Sequence, residues 1–395
     1  MKIFRAVISN KAHPEFGVAS IPFPIPDNEY DRTLEMLKAM DLGDVLAQDC
    51  CVNELVSGYP VLNRLVTQDV NVDELDYLAK RLDGFCKGKD YQFLAMASKL
   101  YLSDIKDLIN LTFCCQQATV ITDFSDLDHI GKDHSMIVNG GVMPTEEYNQ
   151  LDGQSIALEL IQNGAGMITP YGVVYDNGMK LEQVYDGRHF PEYYHEPCVA
   201  SVALSCPGQD RKEILYLPCP DAKISRALQR LGVEDASQCI AALDTDDICD
   251  AVRKVFDEES KLNKHLEALN RLTHCYQGFK GDDEENFHAI FDCAWPQTPE
   301  ETAYLAENLQ DFVVINGIST AEEYGQIIAD RMEVSPELAE FLDLQRLGQR
   351  QVDEEGGEFG DRGYIAYKGT QPEIKEILGR HADPTQEPQM GGLIQ

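Results

Sequence analysis

The chain has 395 residues, 43% of them hydrophobic, with 68 acidic against 33 basic side chains and a formal net charge of −35. That length and apolar content predict two or three folded domains rather than a disordered polyanion. The charge excludes recognition of nucleic acid or anionic membranes through a basic surface, and any charge-driven partner is expected to be basic. The excess is not confined to a tail, since 30 acids and 15 bases precede Cys198 and 38 and 18 follow from it.

In chain order, "FRAVISNKAHPEFGVASIPFPIPDNEYDRTLEML" reads as a strand, a polar loop, a second strand and an amphipathic helix. Tyr30, Leu34 and Leu37 fall on one face of that helix. A leucine-rich helix over 71 to 85 follows, then "KGKDYQFLAM" (87 to 96), read as a turn entering a buried helix. "NLTFCCQQATVITDFSDLDHIGKDH" predicts a strand, a capping turn and a helix. An acidic helix, a Gly-rich turn and a closing strand end the series.

From Val199 the same series is read again. "VASVALSCPGQDRKEILYLPCPDAKISRALQRL" answers the opening, with Ile224, Leu228 and Leu231 at the positions of Tyr30, Leu34 and Leu37. "NKHLEALNRLTHCYQGF", "KGDDEENFHAI", "NLQDFVVINGISTAEEYGQIIADRM" and "PELAEFLDLQRLGQRQVDEEGGEFGDRGYIAYKG" follow in matching order. Repetition in fixed order predicts an internal duplication. The domains expected are repeat 1 over 1–185, a junction over 186–198, repeat 2 over 199–370, and a mobile C-terminal tail over 371–395 that begins with a short helix.

The sequence makes no positive case for catalysis. Asn163-Gly164-Ala165-Gly166 precedes a strand rather than a helix, so it reads as a turn and not a nucleotide loop. His129 and His134 are five apart, off the spacing of a helical metal pair. "DTDDICD" lacks the glycine of a calcium loop. His274 and Cys275 are adjacent on a helix and diverge. No catalytic residue, cofactor or metal ligand is assigned, and the chain is not expected to be an enzyme. The opening "MKIFRAVISN" has no apolar segment for export and no stretch is long enough to span a bilayer, so a cytoplasmic location with reduced, buried cysteines is expected.

The acids themselves are the remaining signal. Duplex DNA carries about one charge per ~1.7 Å of axis, so a net −35 corresponds to roughly 60 Å of duplex. Candidate partner-binding acids are Asp73, Glu74 and Asp76 on one helix, and Asp123, Asp126 and Asp128 beside another. In the second half come Asp244, Asp246, Asp247 and Asp250, then Asp257, Glu258 and Glu259. Asp282, Asp283, Glu284 and Glu285 form a run of four, followed by Glu322 and Glu323, and by Asp353, Glu354, Glu355 and Glu358.

The stretch "STAEEYGQIIADRMEVSPELAEFLDLQRLGQRQVDEEGGEFGDRGYIAYKG" resembles the carboxy-terminal part of the ArdA antirestriction family. The likeness rests on Ala321-Glu322-Glu323-Tyr324-Gly325, on the run from Leu342 to Arg350, and on Gly363-Tyr364-Ile365. "DELDYLAKRLDGF" and "DLINLTFCCQQATVITDFSDLDHIG" also resemble segments of ArdA-like proteins of mobile genetic elements. The resemblance implies an α+β chain of small α/β subdomains, elongated, with two tandem ArdA-like repeats forming a pseudo-dimer. It implies a DNA mimic that occupies the basic DNA-binding groove of a Type I restriction-modification methyltransferase and its specificity subunit. The protein would act as a monomeric pseudo-dimer or as a homodimer. Inhibition of another defence system, such as a CRISPR effector, an unrecognised enzyme, a non-inhibitory acidic scaffold or adaptation to salt are the competing readings.

Overall fold

A computed structural model describes residues 3–85, 89–193, 197–209, 211–256, 262–333 and 341–369. The fold is α+β, about half helix with small antiparallel sheets. The chain divides by contact into two units. The first takes residues 1–197 together with 208–214 and 219–234, and the second takes 198–207, 215–218 and 235–395.

The first unit opens on a four-stranded antiparallel sheet in the order Val18–Phe23, Phe4–Ser9, Cys50–Ser57, Asp69–Val70. Alternation along the first two strands buries Phe4, Ala6 and Ile8 with Ala19, Ile21 and Phe23, the period-two pattern of a sheet with one covered face. The helix Asp27–Ala39 buries Tyr30 and Leu37 as its spacing predicts. Three helices follow, Val72–Asp83, Lys89–Lys99 and Ile105–Cys114. Phe93, Ala95 and Met96 are buried, so Lys89–Lys99 is the core helix expected there, while the turn expected at Lys87-Gly88 lies outside the described residues. Cys50, Cys51, Cys114 and Cys115 are buried free thiols.

The unit closes on a compact module. A strand, Thr119–Ile121, leads into the helices Leu127–Val138, Thr145–Gln150 and Gly153–Asn163, and a hairpin, Met167–Thr169 with Gly172–Tyr175, follows. The last strand of the hairpin is central, pairing Val120 with Val174 and Ile168 with Val173. Two helices meet at glycine. A Cβ on Gly131 would collide with the Gly153 carbonyl, and one on Gly153 with the Asp128 carbonyl.

The second unit pairs Ala200–Ser205 with Ile240–Asp244, Val202 opposite Leu243, and the strand Lys212–Leu217 straddles the division. Helices Asp250–Phe256, Leu266–Gly278, Asp283–Ala294 and Pro299–Glu307 follow. Phe287, Ala289 and Ile290 are buried on the third of these. A second compact module ends the described chain: strand Phe312–Asn316, helices Ala321–Arg331 and Leu344–Glu355, then a hairpin, Glu358–Gly360 with Gly363–Tyr367. Its closing strand is again central. Its helices again meet at glycine, where a Cβ on Gly348 would collide with the Ala321 carbonyl and one on Gly325 with the Leu344 carbonyl. Tyr324, Tyr364 and Ala366 make its core with Val313, Ile315 and Val352 around them.

The segment read as a junction is built into the first unit. Asn110 exchanges two hydrogen bonds with the Tyr185 backbone, at 2.7 and 3.0 Å. Phe190 stacks on both Tyr77 and Tyr185, with ring centroids at 4.7 and 5.0 Å. Tyr77 donates to the Pro191 carbonyl and Tyr193 to the Lys80 carbonyl. The aromatic residues that look like a linker signature are side chains packed along one helix. The tail expected over 371–395 lies outside the described residues.

Candidate functional site

The predicted acids fall into three classes. Most are exposed: Asp123, Asp126, Asp128, Asp244, Asp246, Asp247, Asp250, Asp282, Glu284, Glu285, Glu322, Glu323, Asp353 and Glu354. Asp283, Glu355 and Glu358 are half-buried, and Asp257, Glu258 and Glu259 lie outside the described residues.

Asp73, Glu74 and Asp76 are a correction. All three are buried, at 7, 3 and 7% exposure, and offer nothing to an external partner. Local structure explains Glu74 first. Asn71 caps the helix and Glu74, three residues on, closes the capping box, an arrangement that satisfies backbone donors at the helix start. Glu74 also accepts from the Tyr185 hydroxyl at 3.1 Å. Asp76 accepts from the Ile25 backbone N–H at 2.6 Å, tying the helix to the end of a strand.

Asp73 is the centre of a buried charge cluster in the first unit. Its two oxygens receive Arg226 Nε at 2.9 and 2.8 Å, and Arg230 Nη1 donates to it at 2.9 Å. The Tyr30 hydroxyl adds a fourth contact at 3.3 Å. Arg230 also donates through Nε to Glu213 at 2.7 Å and lies over the Phe190 ring. Glu213 is 2% exposed, and its second oxygen, Oε1, has no hydrogen-bond partner. Burial pushes the Glu213 carboxyl above the ordinary range, against the pull of Arg230.

Several exposed acids sit where helices begin, whereas Asp244 ends a strand and Asp353 and Glu354 lie in the last turn of a helix. Asp126 caps the helix Leu127–Val138, and Asp152 caps Gly153–Asn163. Thr320 and Glu323 form a capping box on Ala321–Arg331, and Asp343 caps Leu344–Glu355. Because the glycine contacts lie within the first turns of these helices, each module brings two acid-capped helix starts together. Hydrogen bonds from Ser125, Ser155 and the Ser319 backbone hold the Asp123, Asp152 and Glu323 carboxyls below their usual range, so they stay ionised under mild acidity.

Few bases offset them. Residues 119–175 contain eight acids and one lysine, and residues 312–367 contain twelve acids and four arginines. Lys132 pairs with Asp128 at 2.7 Å and Arg350 with Glu354 at 2.9 Å. Not every acid of the second module faces outward. Glu355 accepts from the Tyr324 and Tyr364 hydroxyls, at 2.9 and 2.7 Å, and so belongs to the core.

Among the described residues, two of the hollows exceed 500 Å³. One, of 650 Å³ in the second unit, includes Cys275, whose thiol burial and Glu307 push up to about 11. The other, of 580 Å³ in the first unit, is lined by Asp31, Glu35, Asp41, Asp44 and Asp49 with Lys38 and Arg226. Among the described residues no group of three or more His, Cys, Asp or Glu side chains is placed to hold a metal, and no helix is long and apolar enough to cross a membrane. His129 pairs with Asp133, and His134 meets the Thr119 hydroxyl.

Comparison with models of protein families, with curated proteins and with solved structures gives no match.

Sequence reasoning missed Arg226, Arg230 and Glu213. The signal for Glu74 was present as Asn-x-x-Glu before an apolar run. Nothing local marks Arg226 or Arg230, whose partner lies over 150 positions away.

Proposed function

We propose that this chain is an antirestriction protein: an acidic DNA mimic, made of two ArdA-like repeats, that occupies the DNA-binding groove of a Type I restriction-modification methyltransferase with its specificity subunit. The observation that carries the reading is the acid excess of the two compact modules, eight acids against one lysine over residues 119–175 and twelve against four arginines over residues 312–367, most of those the structure describes being exposed. The repeat reading is supported by the shared sheet order of the modules, by the glycine contact in each, and by an element order that differs among the described residues only in the short helix Thr145–Gln150.

The mechanism is binding without chemistry. A groove that neutralises phosphates with Lys and Arg gains affinity from released counterions. Carboxylates set on rigid helix starts meet the same cations, release the anions held there, and are steered to the groove by long-range attraction. Where a capping hydrogen bond holds the carboxylate, as at Asp126, Asp152, Glu323 and Asp343, little side-chain entropy is lost on binding.

The test is inhibition of a purified Type I methyltransferase by the intact chain, with cognate DNA as competitor. Inhibition that DNA relieves is expected. A methyltransferase that is unaffected at low salt overturns this target, and inhibition of a CRISPR effector in the same assay would move the reading to that class.

A further inference from the structure

We propose that the cluster Asp73–Arg226–Arg230–Glu213 is a pairing code. It makes the face formed by helices Asp27–Ala39 and Val72–Asp83 accept the helix Asp221–Leu231 and reject the chain's other helix of the same pattern, Asp27–Ala39, presented by a second copy. The inference does not depend on the target of inhibition.

Placement is the first support. Residues 219–234 belong to the first unit, although the residues on both sides of them, 215–218 and 235 onward, belong to the second. An element housed away from its sequence neighbours is the arrangement from which exchange between copies follows most readily. A face of this kind needs a rule for what it admits.

Charge supplies the rule. Helix Asp221–Leu231 brings Lys223, Arg226 and Arg230. The receiving side holds Asp27, which takes Lys223 at 2.7 Å, Asp31, which accepts from the Ala222 backbone, and Asp73. Matching Ile224 to Tyr30 and Leu228 to Leu34 puts Glu29 in the place of Lys223 and Met36 in the place of Arg230. Helix Asp27–Ala39 from a second copy would therefore set Glu29 near Asp27 and leave Glu213 buried without its arginine. An uncompensated buried carboxylate is strongly unfavourable.

Energetics point the same way. Arg226 is 7% exposed and Glu213 2%, and buried ion clusters can often be replaced by apolar residues with no loss of stability. What such a cluster supplies best is choice of partner and register, as a buried polar residue does in a coiled coil.

The experiment uses full-length chains, one tagged and one untagged, expressed together. The paired replacement Glu213→Leu with Arg230→Met removes one ion pair whole. The fuller variant adds Asp73→Leu with Arg226→Met. The expected result is a thermal midpoint equal to or above the native one in both. Recovery of untagged chain with tagged chain should rise at least tenfold in the fuller variant and less in the paired one, as a species with the light-scattering mass of two chains. Recovery that stays at the native level in both overturns the proposal. A midpoint that falls sharply in both also overturns it, because the cluster then holds the fold rather than choosing the partner.

Discussion

Glu355 and Asp353 sit two residues apart on one helix and answer to different physics. Asp353 is exposed and accepts from the Gln349 side chain at 2.9 Å. Glu355 holds two tyrosine hydroxyls, and burial together with this carboxylate keeps both phenols above their ordinary range. Hydrogen bonds to a charged group contribute about 1.5–3 kcal/mol each. Glu355→Ala is therefore expected to lower unfolding stability by roughly 2–4 kcal/mol in urea titration, whereas Asp353→Ala should stay within about 0.5 kcal/mol. Glu213 gives a test by pH. Its folded-state pKa is raised above the ordinary 4.5, so its contribution to stability is full below that value and is lost as pH rises through the raised one. The stability of the native chain minus that of Glu213→Gln should fall between pH 4.5 and neutrality; a flat difference would show that Glu213 does not titrate in that window. In sequence, Glu355 and Asp353 read alike, as candidate partner-binding acids, and nothing local singles out Glu213. Glu74 alone carried a local sign of a structural role, its place in a capping box. Burial of Glu213 and Glu355 depends on an arginine and tyrosines brought in from elsewhere in the chain, which no periodicity reports.

Helices and strands were far more legible than single carboxylates. Tyr30 and Leu37, or Ile224 and Leu231, mark buried faces because helical spacing is a local property. The helices that carry Phe93 and Phe287 are core helices for the same reason. What the spacing left open was where each face packs. The helix Asp221–Leu231 is amphipathic on any reading, yet only the fold places it with Asp73. The glycines of the two modules were equally silent, since "HIGKDH" and "RLGQRQ" carry no mark of close approach. Gly131→Ala and Gly348→Ala each force a methyl group against a backbone carbonyl, and each should cost about 2 kcal/mol or more. Gly278→Ala, at the end of a helix with open space around it, is the control and should be neutral or slightly stabilising. Equal effects at all three positions would remove the close packing of the helix pairs from the account.

At the scale of the whole molecule, charge is the property to explain. A net −35 opposes folding through self-repulsion, so a surface that keeps so many unpaired carboxylates carries a cost that a use would offset. The acids worth testing are those the structure leaves exposed. Replacing Glu146, Glu147, Glu322 and Asp353 by lysine should weaken inhibition at least tenfold, while each change moves stability by no more than about 1 kcal/mol, the scale of charge effects near a helix end. Inhibition unchanged by the four reversals would take these faces out of the interface. The measurement that bears most directly on the central claim is affinity of the intact chain for a purified Type I methyltransferase complex across a salt series, in competition with cognate DNA. Mutually exclusive binding is predicted, weakening by roughly a hundredfold or more between about 50 and 200 mM salt. Binding alongside DNA, or an affinity that salt leaves unchanged, would contradict it.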